Sequence, residues 1–422
     1  MQVLIIGYVW PEPNSSAAGS RMMQLISAMR EQDWQVTFAS PAQLSEHMAD
    51  LDQWQVHCQP IELNSESFDH YVRALNPDVV IFDRFMMEEQ FGWRVEKFCP
   101  NALRVLNTED LHSLREARQK AIKKNQVLEL SLDRQSDSFL MHSDLAIREI
   151  AAIHRSDLTL MISPVEIKLL QEHFQVAQEQ LLYLPFMLER TRKREIEQLP
   201  SFEEREHFIT IGNFRHAPNW DAVLQLKQHI WPLIRKQLPK AEMHIYGAYP
   251  PPKATQLHNP KQGFHIKGWA DDAKAVMRNA KICLAPLRFG AGIKGKLTDA
   301  MQCGTPSLTT TIGSEGMFLE LPWNGEIIDT QTMIETPQVF ADAAIELYLN
   351  EKNFKAYQDN GIEILQQQYD RSLWQPVFIG RLKQQLEQCQ VLRQKNFIGL
   401  MLRHHSMKST QYMAQWIEAK NQ

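Results

Sequence analysis

Short apolar segments alternate with longer stretches of mixed polarity along most of the chain. Residues 3–6 and 78–82 are nearly continuous apolar runs of the kind found in parallel strands buried on both faces. Between such runs, apolar residues recur at three-to-four spacing, which is typical of helices packed against a sheet. This alternation of strand and helix predicts an α/β protein with parallel sheets.

The predicted elements form two similar series. Strands are predicted over 3–6, 36–39, 56–60, 78–82, 104–106, 158–162, 181–184, 207–211, 243–246, 264–266, 282–285 and 307–310. Helices are predicted over 19–32, 67–76, 88–98, 111–156 with a break near 124, 164–174, 218–238, 294–303, 335–348, 351–368 and 372–395. Because the second half repeats the first, we expect two Rossmann-like, doubly wound domains.

The apolar pattern is interrupted between residues 189 and 205, where the chain is mostly charged. A chain of 422 residues is also too long for one ordinary core. We therefore predict a first domain over 1–188, a linker over 189–205, a second domain over 206–375 and a helical tail over 376–422. A cleft between two such domains is the default ligand site.

The most informative segment lies between the predicted strands 282–285 and 307–310. A loop with Gly290, Gly292 and Gly295 leads into a helix whose first turn carries Lys294 and Lys296. A cation at a helix N-terminus costs about 0.3–1 kcal/mol, unless an anion is bound there. Backbone N–H groups, the helix dipole and two ammonium groups together would hold a diphosphate. The alternative is two solvated lysines beside a loop.

Residues 283–317 resemble the donor-nucleotide motif of family 4 glycosyltransferases, in the subgroup with a glycine-rich loop, two basic residues and then an acidic residue followed by Ala-Met. Residues 211–223, IGNFRHAPNWDAV, resemble the segment that opens the second domain of these enzymes. The resemblance is specific over 207–318 and looser over 1–190. It implies the GT-B fold, with two Rossmann-like domains facing a cleft and a C-terminal helix returning to the first domain.

The resemblance also implies a set of donor-binding residues. They are Gly212, Asn213, Arg215, Gly292, Lys294, Lys296, Asp299, Gly313 and Glu315. The basic members are expected to neutralise the diphosphate, and the glycines to let the backbone approach it. Asp299 is expected to accept hydrogen bonds from the ribose. The family usually has glutamates at the positions of Ala291 and Asp299, so one group that normally touches the sugar is missing.

The loop after the first strand is a second candidate site, since ligands of doubly wound sheets bind beyond the carboxyl ends of the strands. Ser16, Gly19 and Arg21 could contact an acceptor or the donor phosphates. For the serine, capping of the following helix is an equally good explanation. Arg21 again places a cation in a first helical turn, which favours a functional role.

Polar residues also crowd the exit of the strand at 104–106. Asp110 and His112 are the candidates for orienting or deprotonating an acceptor hydroxyl, because the family often places its first-domain catalytic residue here. The alternative is a helix cap at Asp110 and an ordinary surface histidine at 112.

Composition restricts the remaining possibilities. The net charge of −5 and the absence of a basic motif give no support to nucleic-acid binding. Five cysteines at unpaired spacings fit a reducing compartment, and neither they nor the histidines form a recognisable metal motif. We therefore expect no required metal or other cofactor. Asp271 and Asp272 are more simply explained as helix caps.

No signal peptide or membrane span is expected, because the chain opens directly on a strand and has no run of 18 apolar residues. This predicts a cytoplasmic protein. The tail 391–422 mixes basic and apolar residues, so it could rest on the inner face of an anionic membrane, or simply cover the protein's own core.

The sequence thus predicts a retaining glycosyltransferase that moves a sugar from a nucleotide-diphosphate sugar to a glycan, lipid-linked or protein acceptor, in surface glycan or glycoconjugate assembly. Retention of configuration follows from the resemblance alone. Two alternatives stay open: a nucleotide-sugar epimerase, and a GT-B partner protein that has lost activity. The sugar, the base and the acceptor are not encoded in any pattern that these residues show.

Overall fold

A computed structural model describes residues 1–128 and 143–421. The first half of the chain builds a parallel sheet of seven strands in the order β3-β2-β1-β4-β5-β6-β7. The strands are β1 (Gln2–Ile6), β2 (Gln35–Ser40), β3 (Val56–Pro60), β4 (Val79–Asp83), β5 (Leu103–Glu109), β6 (Leu158–Met161) and β7 (Leu181–Tyr183). The helices are α1 (Ala17–Arg30), α2 (Glu66–Leu75), α3 (Phe85–Phe98), α4 (His112–Ile122), α5 (Asp144–Arg155) and α6 (Pro164–Glu172).

Both faces of this sheet are covered by helices. On β1, Val3 and Ile5 join one buried cluster, and Leu4 and Ile6 join another on the opposite face. A strand with period-2 geometry and a core on each side must be apolar at every position, which explains the continuous run at 3–6.

The second half builds a parallel sheet of six strands in the order β10-β9-β8-β11-β12-β13. The strands are β8 (Glu206–Ile211), β9 (Met243–Tyr246), β10 (Phe264–Gly268), β11 (Ala280–Ala285), β12 (Ser307–Thr310) and β13 (Gly325–Ile328). The helices are α7 (Lys193–Glu197), α8 (Ala217–Gln225), α9 (Trp231–Gln237), α10 (Pro252–Thr255), α11 (Ala273–Asn279), α12 (Gly295–Gln302), α13 (Thr311–Ser314), α14 (Thr330–Glu335), α15 (Pro337–Leu349) and α16 (Phe354–Ile364).

Two long helices, α17 (Arg371–Lys395) and α18 (Phe397–Asn421), end the described chain. Helix α17 returns to the first domain, where Phe378, Ile379 and Leu382 join the buried cluster under β1. Helix α18 packs on α3 and α5. Among the described residues, no helix has both the length and the hydropathy needed to span a membrane.

The predicted strands are all present, whereas β13 was not predicted. The predicted helix 218–238 consists of α8 and α9 joined by a π-helical turn at Leu226–Ile230, and a second π turn at Leu365–Tyr369 extends α16. Asp272 caps α11, as predicted: its carboxylate accepts the N–H of Ala275 at 2.9 Å. The part of the predicted helix 111–156 that falls in 129–142 lies outside the described residues.

Candidate active site

The carboxyl edges of the two sheets face each other. Each sheet reverses its strand order once, between β1 and β4 and between β8 and β11, which is where doubly wound sheets bind ligands. The loops that follow β1 and β8 meet, because Asn213 donates a hydrogen bond from Nδ2 to Ser15 Oγ at 3.1 Å. The two switch points therefore face each other across the boundary between the domains, and we refer to this boundary as the cleft.

Helix α12 begins at the wall of this cleft. Lys294 is its N-cap residue, and its Nζ donates to the Gly292 carbonyl at 2.7 Å. The ammonium is buried, and this desolvation lowers its pKa to about 8, while the nearby carboxylates of Glu315 and Glu166 act in the opposite direction. Lys294 thus helps to hold the glycine-rich loop and contributes a positive charge to the cleft.

Lys296, the second residue of α12, differs from Lys294 in its contacts. Among the described residues it has no hydrogen-bond or ion-pair partner, yet its surroundings desolvate it and lower its pKa to about 8. Its nitrogen therefore adds positive charge to a helix N-terminus that already favours an anion.

Further along α12, Asp299 is enclosed by the second domain. Burial raises the pKa of its carboxyl to about 6, and Lys274 opposes this shift. This side chain is one methylene shorter than the glutamate expected from the resemblance described above. Ala291, where the resemblance leads one to expect another glutamate, packs against the apolar core of the first domain.

The glycine-rich loop touches the first domain at Gly292. This residue has a φ of 64°, and a Cβ on it would lie 2.8 Å from the Cβ of Asp110. Its N–H donates to the carboxylate of Glu166, which also accepts the N–H of Leu111 at 3.1 Å. Glu166 thereby joins the loops of both domains, and burial raises its pKa to about 8.

Gly212 and Gly313 are both closely packed. A Cβ on Gly212 would lie 2.6 Å from Asn219 Nδ2. The N–H of Gly313 donates to Thr310 Oγ1 at 3.0 Å, so this donor is used within its own turn. Arg215 is exposed, and its guanidinium lies 3.6 Å from the centre of the Tyr249 ring.

Glu315 reaches across the cleft. Both of its carboxylate oxygens accept from the buried Arg118 of α4, at 2.6 and 2.9 Å, and Arg118 also donates to the Gly290 carbonyl at 2.8 Å. Arg118 and then Lys294 lower the pKa of Glu315 against the effect of its burial. The side chain predicted near the diphosphate therefore forms a bridge between the domains.

The residues predicted in the loop after β1 have contacts within the first domain. Ser16 caps α1 by accepting the N–H of Gly19 at 3.0 Å, and a Cβ on Gly19 would lie 2.3 Å from the Glu12 carbonyl oxygen. Arg21 is fully buried: it donates to the carbonyls of Leu184 and Pro185 and pairs with Glu109. The capping explanation of Ser16 is therefore satisfied.

Asp110 and His112 stand together at the edge of the cleft. Asp110 is paired with Arg115, and its carboxylate lies 3.7 Å from His112 Nε2. Arg115 and His112 hold the pKa of Asp110 far below its usual range although burial opposes this. Burial lowers the pKa of His112 to about 4, so its imidazole is neutral at pH 7.

Two further cleft residues, Arg84 and His216, were not among the predicted site residues. Arg84, after β4, adopts a φ of 75°, and its charge helps to lower the pKa of both His112 and His216. His216 keeps solvent-accessible surface, but the cleft walls around it and the charge of Arg115 lower its pKa to about 4. Their positions, in the loops that follow β4 and β8, were the available signal.

The comparisons with known proteins agree with this architecture. Residues 205–350 match a family model described as "Glycosyl transferases group 1". No curated protein matches the chain.

Several solved structures are similar over nearly the whole chain. HepE from Anabaena, solved with UDP and glucose, has a TM-score of 0.65 at 13% identity, covering 91% of this chain and 100% of its own. Sucrose-phosphate synthase from Thermosynechococcus elongatus has a TM-score of 0.64 at 15% identity, covering 92% and 100%. WaaG, a glycosyltransferase involved in lipopolysaccharide biosynthesis, has a TM-score of 0.57 at 12% identity, covering 89% and 97%. At these identities the likeness establishes the fold, and the chain has the GT-B fold.

Proposed function

We propose that this protein is a retaining glycosyltransferase that moves a sugar from a nucleotide-diphosphate sugar to an acceptor hydroxyl. The observation that carries the proposal is Lys296, a desolvated ammonium at the N-terminus of α12 that has no hydrogen-bond or ion-pair partner among the residues that the structure describes. It lies in the cleft of a GT-B fold, within the segment that matches group 1 glycosyltransferases.

In this proposal, the donor diphosphate binds at the N-terminus of α12. There Lys296 and Lys294 neutralise its charge, and the free N–H groups of the helix add their dipole. Asp299 accepts from the ribose hydroxyls, and Arg215 and the loops at Gly212, Asn213 and Gly313 line the entrance. HepE was solved with UDP, which makes uridine diphosphate the first nucleotide to test.

During transfer, the bond between the sugar C1 and the diphosphate oxygen breaks, the acceptor oxygen bonds to C1 on the same face, and the hydroxyl proton passes to the leaving diphosphate oxygen. Negative charge grows on the leaving diphosphate, so cations fixed beforehand in a cleft closed to water lower the barrier. No metal is needed for this step, because the lysines supply the positive charge.

On the acceptor side, Asp110 and His112 orient the hydroxyl. His112 is neutral above pH 4 and can accept a hydrogen bond, whereas the pairing of Asp110 with Arg115 makes this carboxylate a weak base. Their role is therefore positioning more than proton removal.

The acceptor belongs to surface glycan or glycoconjugate assembly, and the protein works in the cytoplasm at the inner membrane face.

Helix α18 supports the membrane contact, because Phe397, Met401 and Trp416 are exposed on it together with Lys408. Vesicles with anionic lipids should bind the protein and neutral vesicles should not, and Phe397→Ser with Trp416→Ser should weaken binding. Equal binding to both kinds of vesicle would contradict the contact.

The test of the donor site is Lys296→Ala, measured by titration calorimetry with UDP. Loss of one charge-assisted contact of about 1.5–3 kcal/mol predicts a roughly 10- to 100-fold weaker affinity. Lys240→Ala removes an exposed lysine of the same domain and should leave the affinity unchanged. Equal affinities of the Lys296→Ala variant and the wild type would refute the proposed donor site.

Ala291 and Asp299 favour one alternative, a GT-B protein that binds nucleotides but has lost transfer. A thermal-shift screen of nucleotide-diphosphate sugars first identifies the donor that raises the melting temperature most. Incubation with this donor, followed by detection of free nucleoside diphosphate, then separates an active transferase from the inactive protein. Binding without release or transfer, over the acceptors tried, would favour the inactive partner; conversion of the sugar without any acceptor would indicate an epimerase.

A further inference from the structure

Three metal-ligating side chains converge at the end of the second sheet that is opposite to the cleft. Glu242 directly precedes β9, His244 is the second residue of β9, and His265 is the second residue of β10. His244 and His265 are partners across the parallel strands, so their side chains share one face. One carboxylate oxygen and one nitrogen from each imidazole all lie within 4.8 Å of one another.

The distances suit a tetrahedral ion. Glu242 Oε2 lies 2.7 Å from His244 Nε2 and 3.6 Å from His265 Nε2. Zinc with bonds of about 2.0–2.1 Å separates its ligand atoms by about 3.3 Å, a value between these two distances. We propose that Glu242, His244 and His265 form a Zn²⁺ site that is separate from the active cleft.

The chemistry of the three groups supports the assignment. His265 Nε2 is buried and has no hydrogen-bond partner within the described part of the chain, although it lies 3.6 Å from the carboxylate of Glu242. An ion at the centre would satisfy this nitrogen and bind the other two ligands at the same time. Two imidazoles and a carboxylate are also a common zinc donor set, used with a fourth position left open.

The surroundings define what the ion does. The Glu242 side chain is 49% exposed, so the fourth coordination position opens to water. Strand β10 is the edge of the sheet, and an ion held by His244 and His265 would tie this edge to β9. Because the site lies at the amino ends of these strands, it supplies stability and takes no part in the proposed transfer.

The experiment is a titration of the full-length, chelator-treated protein with Zn²⁺ by calorimetry, repeated with Co²⁺ and read by visible absorption. We expect one ion per chain, a tetrahedral cobalt spectrum, and a melting temperature that rises with zinc by mass action. UDP affinity should be the same with and without zinc, which keeps this test independent of the proposed function.

Two variants locate the ion. His265→Ala should weaken zinc binding at least tenfold, and Glu242→Gln, which keeps the shape of the exposed carboxylate, should do so without affecting folding. His229→Ala, an exposed histidine of the same domain, is the matched control and should bind zinc like the wild type. Absence of a one-to-one site in the wild type, or unchanged affinity in the Glu242→Gln variant, would overturn the proposal.

Discussion

Lys296 shows how a single residue can indicate a ligand. A buried or enclosed ammonium is normally paired, because desolvation is costly without a compensating partner. Lys294 follows this rule, with a hydrogen bond to Gly292 and carboxylates nearby. Lys296 has no such compensation among the described residues, and a helix N-terminus makes the cost larger. An anionic ligand removes this imbalance.

The lowered pKa values predict how nucleotide binding depends on pH. The pKa of both lysines falls from 10.5 to about 8, so they are charged below pH 8 and neutral above it. Each lysine contributes a factor of about ten, so UDP affinity should fall by up to about 100-fold between pH 7 and 9, while the charge of the diphosphate stays nearly constant. Calorimetry at three pH values measures this. Lys296→Arg, which stays charged, should show a smaller fall, and a pH-independent wild type would contradict the assignment.

Substitution of Gly292 tests the close packing of the glycine-rich loop against Asp110 of the first domain. Gly292→Ala adds a Cβ that would lie 2.8 Å from Asp110 Cβ, at a residue with positive φ. The left-handed backbone alone should cost about 1–2 kcal/mol, so the melting temperature should fall. Gly290→Ala is the matched control, because its Cβ would meet no atom closer than the Lys294 Cε at 3.7 Å. Equal melting temperatures of the two variants would refute the steric argument.

The predictable part of the site was local in sequence. Lys294 and Lys296 stand out because both lie in one helical turn beside glycines. Glu166 and His216 could not be assigned in this way, since their role depends on how the two domains pack together. Arg21 illustrates the same limit: its place in a first helical turn favoured a ligand, whereas its hydrogen bonds to the carbonyls of Leu184 and Pro185 depend on the folded domain.

At the scale of elements, buried parallel strands were predicted from their apolar runs. Strand β13 was not predicted, because GEII is short, begins with glycine and carries a charged residue. The π turns within the predicted helices were also missed, since one inserted residue hardly changes a helical pattern. The proposed metal ligands share this limit: Glu242 and His244 lie two residues apart at the start of β9, but only the register with β10 adds His265.

The return of α17 to the first domain depends on its C-terminal turn. Arg393 donates to both carboxylate oxygens of Asp157, at 2.7 and 2.6 Å, in a pair that is nearly buried. Arg393→Ala should therefore destabilise the first domain by about 3 kcal/mol, the lower end for breaking a buried pair, since Arg104 still faces Asp157. Thermal unfolding measures this, with the exposed Lys395→Ala as control.

The direction in which pH changes this stability follows from the pKa of Asp157. Its pKa is lowered below 3.8, mainly by Arg104 and Arg393 against the effect of burial. The pair therefore contributes stability at neutral pH and loses it as the pH falls through the folded-state pKa. The difference between wild type and Arg393→Ala should shrink below about pH 4; a difference that stays constant would show that packing, not charge, is lost.

At the scale of the whole molecule, the two domains are joined by polar contacts between loops that are distant in sequence. Tyr249 donates to Glu12 at 2.9 Å, and the contacts of Asn213 with Ser15 and of Gly292 with Glu166 are of the same kind. Small polar contacts of this type allow relative motion of the domains. No local pattern predicts them, because each one requires both folded domains.

The pair of Arg118 and Glu315 should control closure of the cleft. Arg118 is buried, so Glu315→Gln leaves its charge without a counter-ion, a loss of about 2–5 kcal/mol for a buried pair. The closed arrangement should then become less populated: without ligand, small-angle X-ray scattering should give a larger radius of gyration than the wild type, and UDP should restore it. Expressed as free energies, the rise in the donor KM should exceed the fall in the unfolding free energy of either domain. Glu320→Gln, an exposed neighbour, should behave like the wild type. An unchanged radius of gyration together with an unchanged KM would show that the other contacts alone hold the cleft closed.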